Sequence, residues 1–228
     1  MKFTALLKKE LRICLPWQLL CILVFGLFGT LLIKGTMLNQ KHYLERGYQE
    51  NHPYYNYVPH TPIYETGPLI LMVALALGIV LGIVQFFLPE LFSKWAFTIH
   101  RSINPQAIIW SKFAAAGVTF FASMGLLWTL LYYYAAMPGR FYLPVFFRTY
   151  LEGWIYILAG LIVYWGTALS AISTTHIYTT RLLGMAIATG TIFFMIFQTS
   201  ITGAITVAAV GAIILIVQIF HTFLAREF

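Results

Sequence analysis

The chain has 228 residues, 60% of them hydrophobic and only 9% charged, whereas about a quarter of a soluble domain is charged, so an ordinary soluble fold is excluded. Its formal net charge of +7 does not point to nucleic acid, because the bases sit beside apolar runs, as they do on membrane flanks facing anionic lipid.

Taken in order, residues 1–12 predict an amphipathic interfacial helix. Phe3, Leu6, Leu7 and Leu11 line one face, while Lys2, Lys8, Lys9 and Arg12 supply the other. The apolar run 13–33 is long enough to span, and no small-x-small cleavage site follows it, so it reads as an uncleaved first span rather than a secretory signal. Cys14 and Cys21 share a face of this span but stand roughly 10 Å apart along it, too far for a disulfide.

Residues 34–66 form the longest polar stretch and are expected to be an extracytoplasmic loop once the N-terminus is placed in the cytoplasm. Tyr54, Tyr55, Tyr57 and Tyr64 alternate there with Pro53, Pro59, Pro62 and Pro68, which suits extended backbone laid over the headgroups as an outer lid. His42, His52 and His60 with Glu45, Glu50 and Glu65 lack the spacing of metal ligands, so no metal site is expected.

The second span, 69–88, repeats Ala74, Gly78 and Gly82 at every fourth residue. Such a face lets helices approach closely, either within one subunit or across a dimer interface. From Pro89 to Pro105 the chain returns to the surface, because Glu90, Lys94, His100 and Arg101 would be stranded in lipid. Pro89 suits a first helical turn, and Leu91, Trp95 and Ile99 recur at four-residue spacing, so 89–105 predicts a cytoplasmic amphipathic helix.

The third span, 107–134, ends in the aromatic set Trp128, Tyr132, Tyr133 and Tyr134, which reads as an interfacial belt. After a connector carrying Arg140 and Arg148 comes the fourth span, 150–173, with Glu152 near its outer end, free to reach the interface or to pair with Arg148. Spans five and six, 182–198 and 201–222, are joined by almost nothing, and Ala204, Ala208 and Ala212 repeat the small-residue spacing. His176 and His221 read as surface residues. The expected fold is all-α, a single polytopic domain with both termini cytoplasmic, as an even number of spans requires, in a plasma membrane.

At residues 86–112 the chain resembles the permease subunits of type-2 ABC exporters. A glutamate leaves the second span, a surface helix follows, an arginine precedes a short turn, and a lysine opens the third span; Glu90, Thr98, Arg101 and Lys112 are the matching positions. The resemblance implies a coupling helix (Glu90, Leu91, Lys94, Trp95, Ile99 and Arg101) docked on a cytoplasmic ATPase subunit. It further implies a second permease copy or a paralogue as partner, with ATP and Mg²⁺ held by the ATPase. Lys8, Lys9 and Arg12 are expected either to brace the same ATPase or only to set topology.

This chain itself has no G-x-x-x-x-G-K-[ST] loop, no H-x-x-x-H, no G-x-S-x-G and no paired carboxylates, so no catalytic residue, enzyme activity or cofactor is expected of it. Within the spans no buried Asp, Glu, Lys or Arg is expected, only Gln18, Gln85, Gln198 and Gln218 with scattered Ser and Thr, which argues against proton-coupled transport. Two other readings stay open: a non-transporting membrane assembly or regulatory protein, and a permease like those that export haem. The substrate is not legible.

Overall fold

The structure, a computed structural model, describes residues 2–47, 66–91, 104–139, 145–173 and 182–224, and among these every regular element is helical. We number six rods: α1 (Lys2–Gly47), α2 (66–91), α3 (Pro105–Ala136), α4 (Phe147–Ile172), α5 (Leu183–Ile196) and α6 (Ile201–Leu224). Five of them, all but α5, contain stretches long and apolar enough to cross a membrane.

α1 is one uninterrupted helix of 46 residues, about 69 Å at 1.5 Å per residue and so far longer than the ~30 Å hydrocarbon layer. Two expectations are thereby corrected. The interfacial helix 1–12 and the first span are not separate elements, because Pro16 lies inside the rod on an exposed position and does not break it. Nor does the helix stop at residue 33. Lys34, Met37, Leu38, Gln40, Lys41, Leu44 and Glu45 are good helix formers, so their stretch leaves the lipid register without leaving the helix. Polarity marks the end of a hydrophobic segment, not the end of a hydrogen-bond ladder.

The rods alternate in direction. α1 runs parallel to α3, since Glu10 meets Lys112 near one end and Gly29 meets Leu131 towards the other. α2 runs parallel to α4, with Gly67 beside Tyr156 and Gly82 beside Thr167. α4 is antiparallel to α3, with Gly125 against Trp154 and Phe120 against Gly160, and to α5, with Gly166 against Ala188 and Met185 beside Ser170. α5 and α6 form a hairpin closed at residues 197–200, where the Ser200 hydroxyl accepts the Gly203 N–H at 3.1 Å and starts α6. The bundle therefore has a proximal end, where α1 begins, and a distal end.

α4 is the hub. Of its most apolar window 61% is buried, against 22% for α1. The small-residue face of α2 is what brings α4 in: a side chain at Gly78 would strike the Gly160 carbonyl, and one at Gly160 would lie 2.5 Å from the Ala74 carbonyl. The Ala74, Gly78 and Gly82 stripe is thus filled within the subunit, which removes it as a dimer surface. On α6 the buried face is Ala204, Ala208 and Gly211, not Ala212, and Gly211 admits Thr191 of α5. Outward-facing Leu, Ile, Phe and Val side chains on α1, α3, α5 and α6 present the surface that lipid would cover.

Candidate functional site

Near the proximal end α1 turns one narrow stripe inward: Glu10, Cys14, Cys21, Phe25 and Ile33 are all buried, as the spacing of a helix face requires. Lys8, Lys9 and Arg12 lie off that stripe and are exposed. α3 starts cleanly, with the Asn104 side chain accepting the Gln106 N–H at 3.0 Å and Pro105 in the first turn. About two turns in, it buries Lys112. α2 contributes Gln85 and Phe86 from a π-helical turn, Ile83–Phe87. Such a turn takes up one extra residue and is often found at functional positions.

These side chains meet. The Lys112 ammonium donates to Glu10 Oε1 at 3.1 Å and to the Gln85 carbonyl at 2.8 Å, and lies 5.4 Å from the centre of the Phe86 ring. The Gln85 amide donates to Cys14 Sγ at 2.9 Å and its side-chain oxygen accepts the Tyr164 hydroxyl at 2.5 Å. One polar layer thus ties α1, α2, α3 and α4 together. Phe113 seals it with ring contacts to Phe86, Tyr164, Trp165 and Phe220, all within 6.4 Å between ring centres. Two polar atoms in this region, Glu10 Oε2 and Trp165 Nε1, are buried with no hydrogen-bond partner among the described residues.

Glu10 and Lys112, at 4% and 5% exposure, overturn the expectation that no charge is buried in the spans. A buried pair of this kind costs desolvation and is held by mutual attraction, so removing one partner leaves an uncompensated buried charge. Chemically the layer offers neither a nucleophile beside a base nor a metal site: the Cys14 thiol is occupied by an amide, and no cluster of metal-ligating side chains occurs among the described residues.

The distal end holds a lesser polar group. Arg148 pairs with Glu152 at 2.9 Å, as one of the two expected arrangements had it, and also donates to the Thr199 carbonyl at 3.3 Å, linking α4 to the α5–α6 turn. A cavity of about 90 Å³ lies there between Gly67, Ile70, Trp128, Glu152 and Tyr156. Trp128 is buried and donates to the Tyr150 carbonyl at 3.0 Å, and Tyr132 is buried beside it, so only Tyr133 of the expected belt is plainly exposed.

Of the residues singled out in the sequence, Leu91 is exposed in the last turn of α2, which also contains Glu90. Lys94, Trp95, Thr98, Ile99 and Arg101 lie outside the described residues, as do Tyr54, Tyr55, Tyr57 and Tyr64. Glu10, Cys14 and Tyr164 were missed as site residues. Glu10 looks like a surface residue because it sits in the run Lys8-Lys9-Glu10-Leu11-Arg12, yet it shares the face of Cys14, Cys21 and Phe25. That register was the available signal.

Among the described residues the fold is all-helical, with five helices long and apolar enough to cross a membrane. No family model, no characterised protein and no solved structure matches the chain.

Proposed function

We propose that the chain is the membrane-spanning subunit of an ATP-driven exporter, working with a separate ATPase that binds the nucleotide and Mg²⁺. The observation that supports this reading is the polar layer at the proximal end. It ties the start of α1 to α2 and α3, the two rods that flank the connection 92–103, and through Tyr164 to the hub α4. A cytoplasmic partner pushing on that connection and the end of α2, where the expected coupling residues Glu90, Leu91, Lys94, Trp95, Ile99 and Arg101 fall, would move four rods together. Exposed Lys8, Lys9 and Arg12 on the same end are available to an acidic face of that partner or to anionic headgroups. Substrate would pass outward along a surface shared by two permease copies, with the segment carrying Tyr54, Tyr55, Tyr57 and Tyr64 at its outer mouth.

A second reading, an assembly or regulatory protein with no pathway of its own, draws on the closed interior: Gly78 and Gly160 bring the backbones of α2 and α4 into contact at mid-bundle. The test is co-purification from native membranes in mild detergent, followed by reconstitution. The exporter reading expects an ATPase subunit to come with the chain, and its activity to lose coupling in a Leu91→Ala, Trp95→Ala double variant. Absence of any ATPase, or unchanged stimulated activity in that variant, refutes it.

A further inference from the structure

α1 is bound to the bundle in an unusual way. Its outer ridge, Leu15, Leu19, Leu23, Leu27 and Leu31, is at least half exposed at every position. Acyl chains satisfy such side chains as well as protein does, so docking of the opposite stripe gains no hydrophobic drive and must rest on packing and polar bonds. α1 is the least buried of the five long rods, with 22% of its apolar window inside the bundle, and Leu6, Leu7, Leu11 and Trp17 pack on the core beside the buried stripe. Further along α1 the Thr30 and Thr36 hydroxyls bond back to their own helix and hold no neighbour. The polar attachment of α1 to the bundle is strongest near its start, in Glu10 with Lys112 and Cys14 with Gln85, with Cys21 against Ser123 of α3 two turns further on.

We infer that the Glu10–Lys112 pair is a latch, and that α1 is a detachable rod whose docking on α2 and α3 is set by that pair while the remaining helices stay packed. The two halves are unequal. Lys112 keeps the Gln85 carbonyl when Glu10 is neutralised. Glu10, whose Oε2 already has no partner among the described residues, is left with an unpaired buried charge when Lys112 is removed. Loss of the lysine should accordingly release α1 more than loss of the glutamate, and neutralising both should let it dock again. The inference does not depend on the exporter reading, because it concerns helix docking alone.

Cys14 and Cys21 lie on the docking stripe and are both buried, so they report release without an engineered probe. The full chain purified in detergent would be heated with a fluorogenic maleimide while helix content is followed in parallel by circular dichroism. In the wild type, labelling should wait for loss of helix. In Lys112→Met it should run about tenfold faster or more at temperatures where the helix signal is unchanged, with Glu10→Gln intermediate. The double variant Glu10→Gln, Lys112→Met should label within about threefold of wild type. Labelling that tracks helix loss in Lys112→Met, or a double variant as reactive as the single one, overturns the latch. Should Lys112→Met fail to fold, Glu10→Gln decides alone: labelling at the wild-type rate sinks the inference.

Discussion

Gln85 does three things at once, which makes it the most informative single residue in the polar layer. Its backbone carbonyl takes the lysine, its amide hydrogen reaches Cys14 and its side-chain oxygen takes the Tyr164 hydroxyl. Replacing it by leucine keeps the first bond and removes the other two, leaving a buried tyrosine hydroxyl unpaired, at a cost of about 1–3 kcal/mol. Tyr164→Phe removes the other end of the same bond. Because the two residues share it, the double variant Gln85→Leu, Tyr164→Phe should fall short of the sum of the single losses by about 0.5–2 kcal/mol in thermal or denaturant stability. Additive losses would mean that the short contact between them contributes nothing.

At the scale of the element, the small-residue face of α2 was legible as a close-packing surface, but its partner was not. Period and residue size say that something approaches; they do not say what, since another copy and another helix of the same chain ask for the same stripe. The structure supplies α4, so substitutions on this face should act on stability within one chain. Gly78→Ala puts a methyl group on the Gly160 backbone carbonyl, which has no flexible end to yield, and should cost about 1–3 kcal/mol. Gly117→Ala on α3 meets nothing within 4 Å and, in a helix interior, should be neutral or raise stability by up to about 1 kcal/mol. Melting temperatures of the two variants in the same detergent check both, and equal values would contradict the α2–α4 contact.

For the molecule as a whole, the alternation of six rods has a consequence for topology. If each crosses, both ends of the described chain lie on one side, and the starts of α4 and α6 lie on the other. α5 is the rod in question: its 14 residues span about 21 Å, short of the ~30 Å hydrocarbon layer. Nevertheless its start is level with Ser170, and past its end the long Arg148 side chain reaches the Thr199 carbonyl, so α5 and the turn after it together lie along α4. Single cysteines introduced at Ser200 and at Phe147, in a chain lacking Cys14 and Cys21, should be labelled by a membrane-impermeant maleimide from the same side. One at Phe3 should be reached only from the other side. Protection of the Ser200 position from both sides would place the α5–α6 turn inside the bilayer, make the hairpin re-entrant and reduce the crossing rods to four.

What the sequence determined by itself was the solvent and the punctuation. Composition demands lipid, and in lipid backbone groups must bond within their own segment, so long apolar runs can only be helices. The centres of the rods, the pairing of Arg148 with Glu152 and the close-packing role of Gly78 follow from local chemistry. Only the tertiary structure decided that Glu10, set among bases, turns inward to a lysine 102 positions away, that Trp128 is core rather than belt, and that α1 continues to Gly47. Those outcomes depend on which face each rod presents to which neighbour, and hydropathy carries no record of that, because a side chain facing lipid and one facing another helix obey the same composition rule.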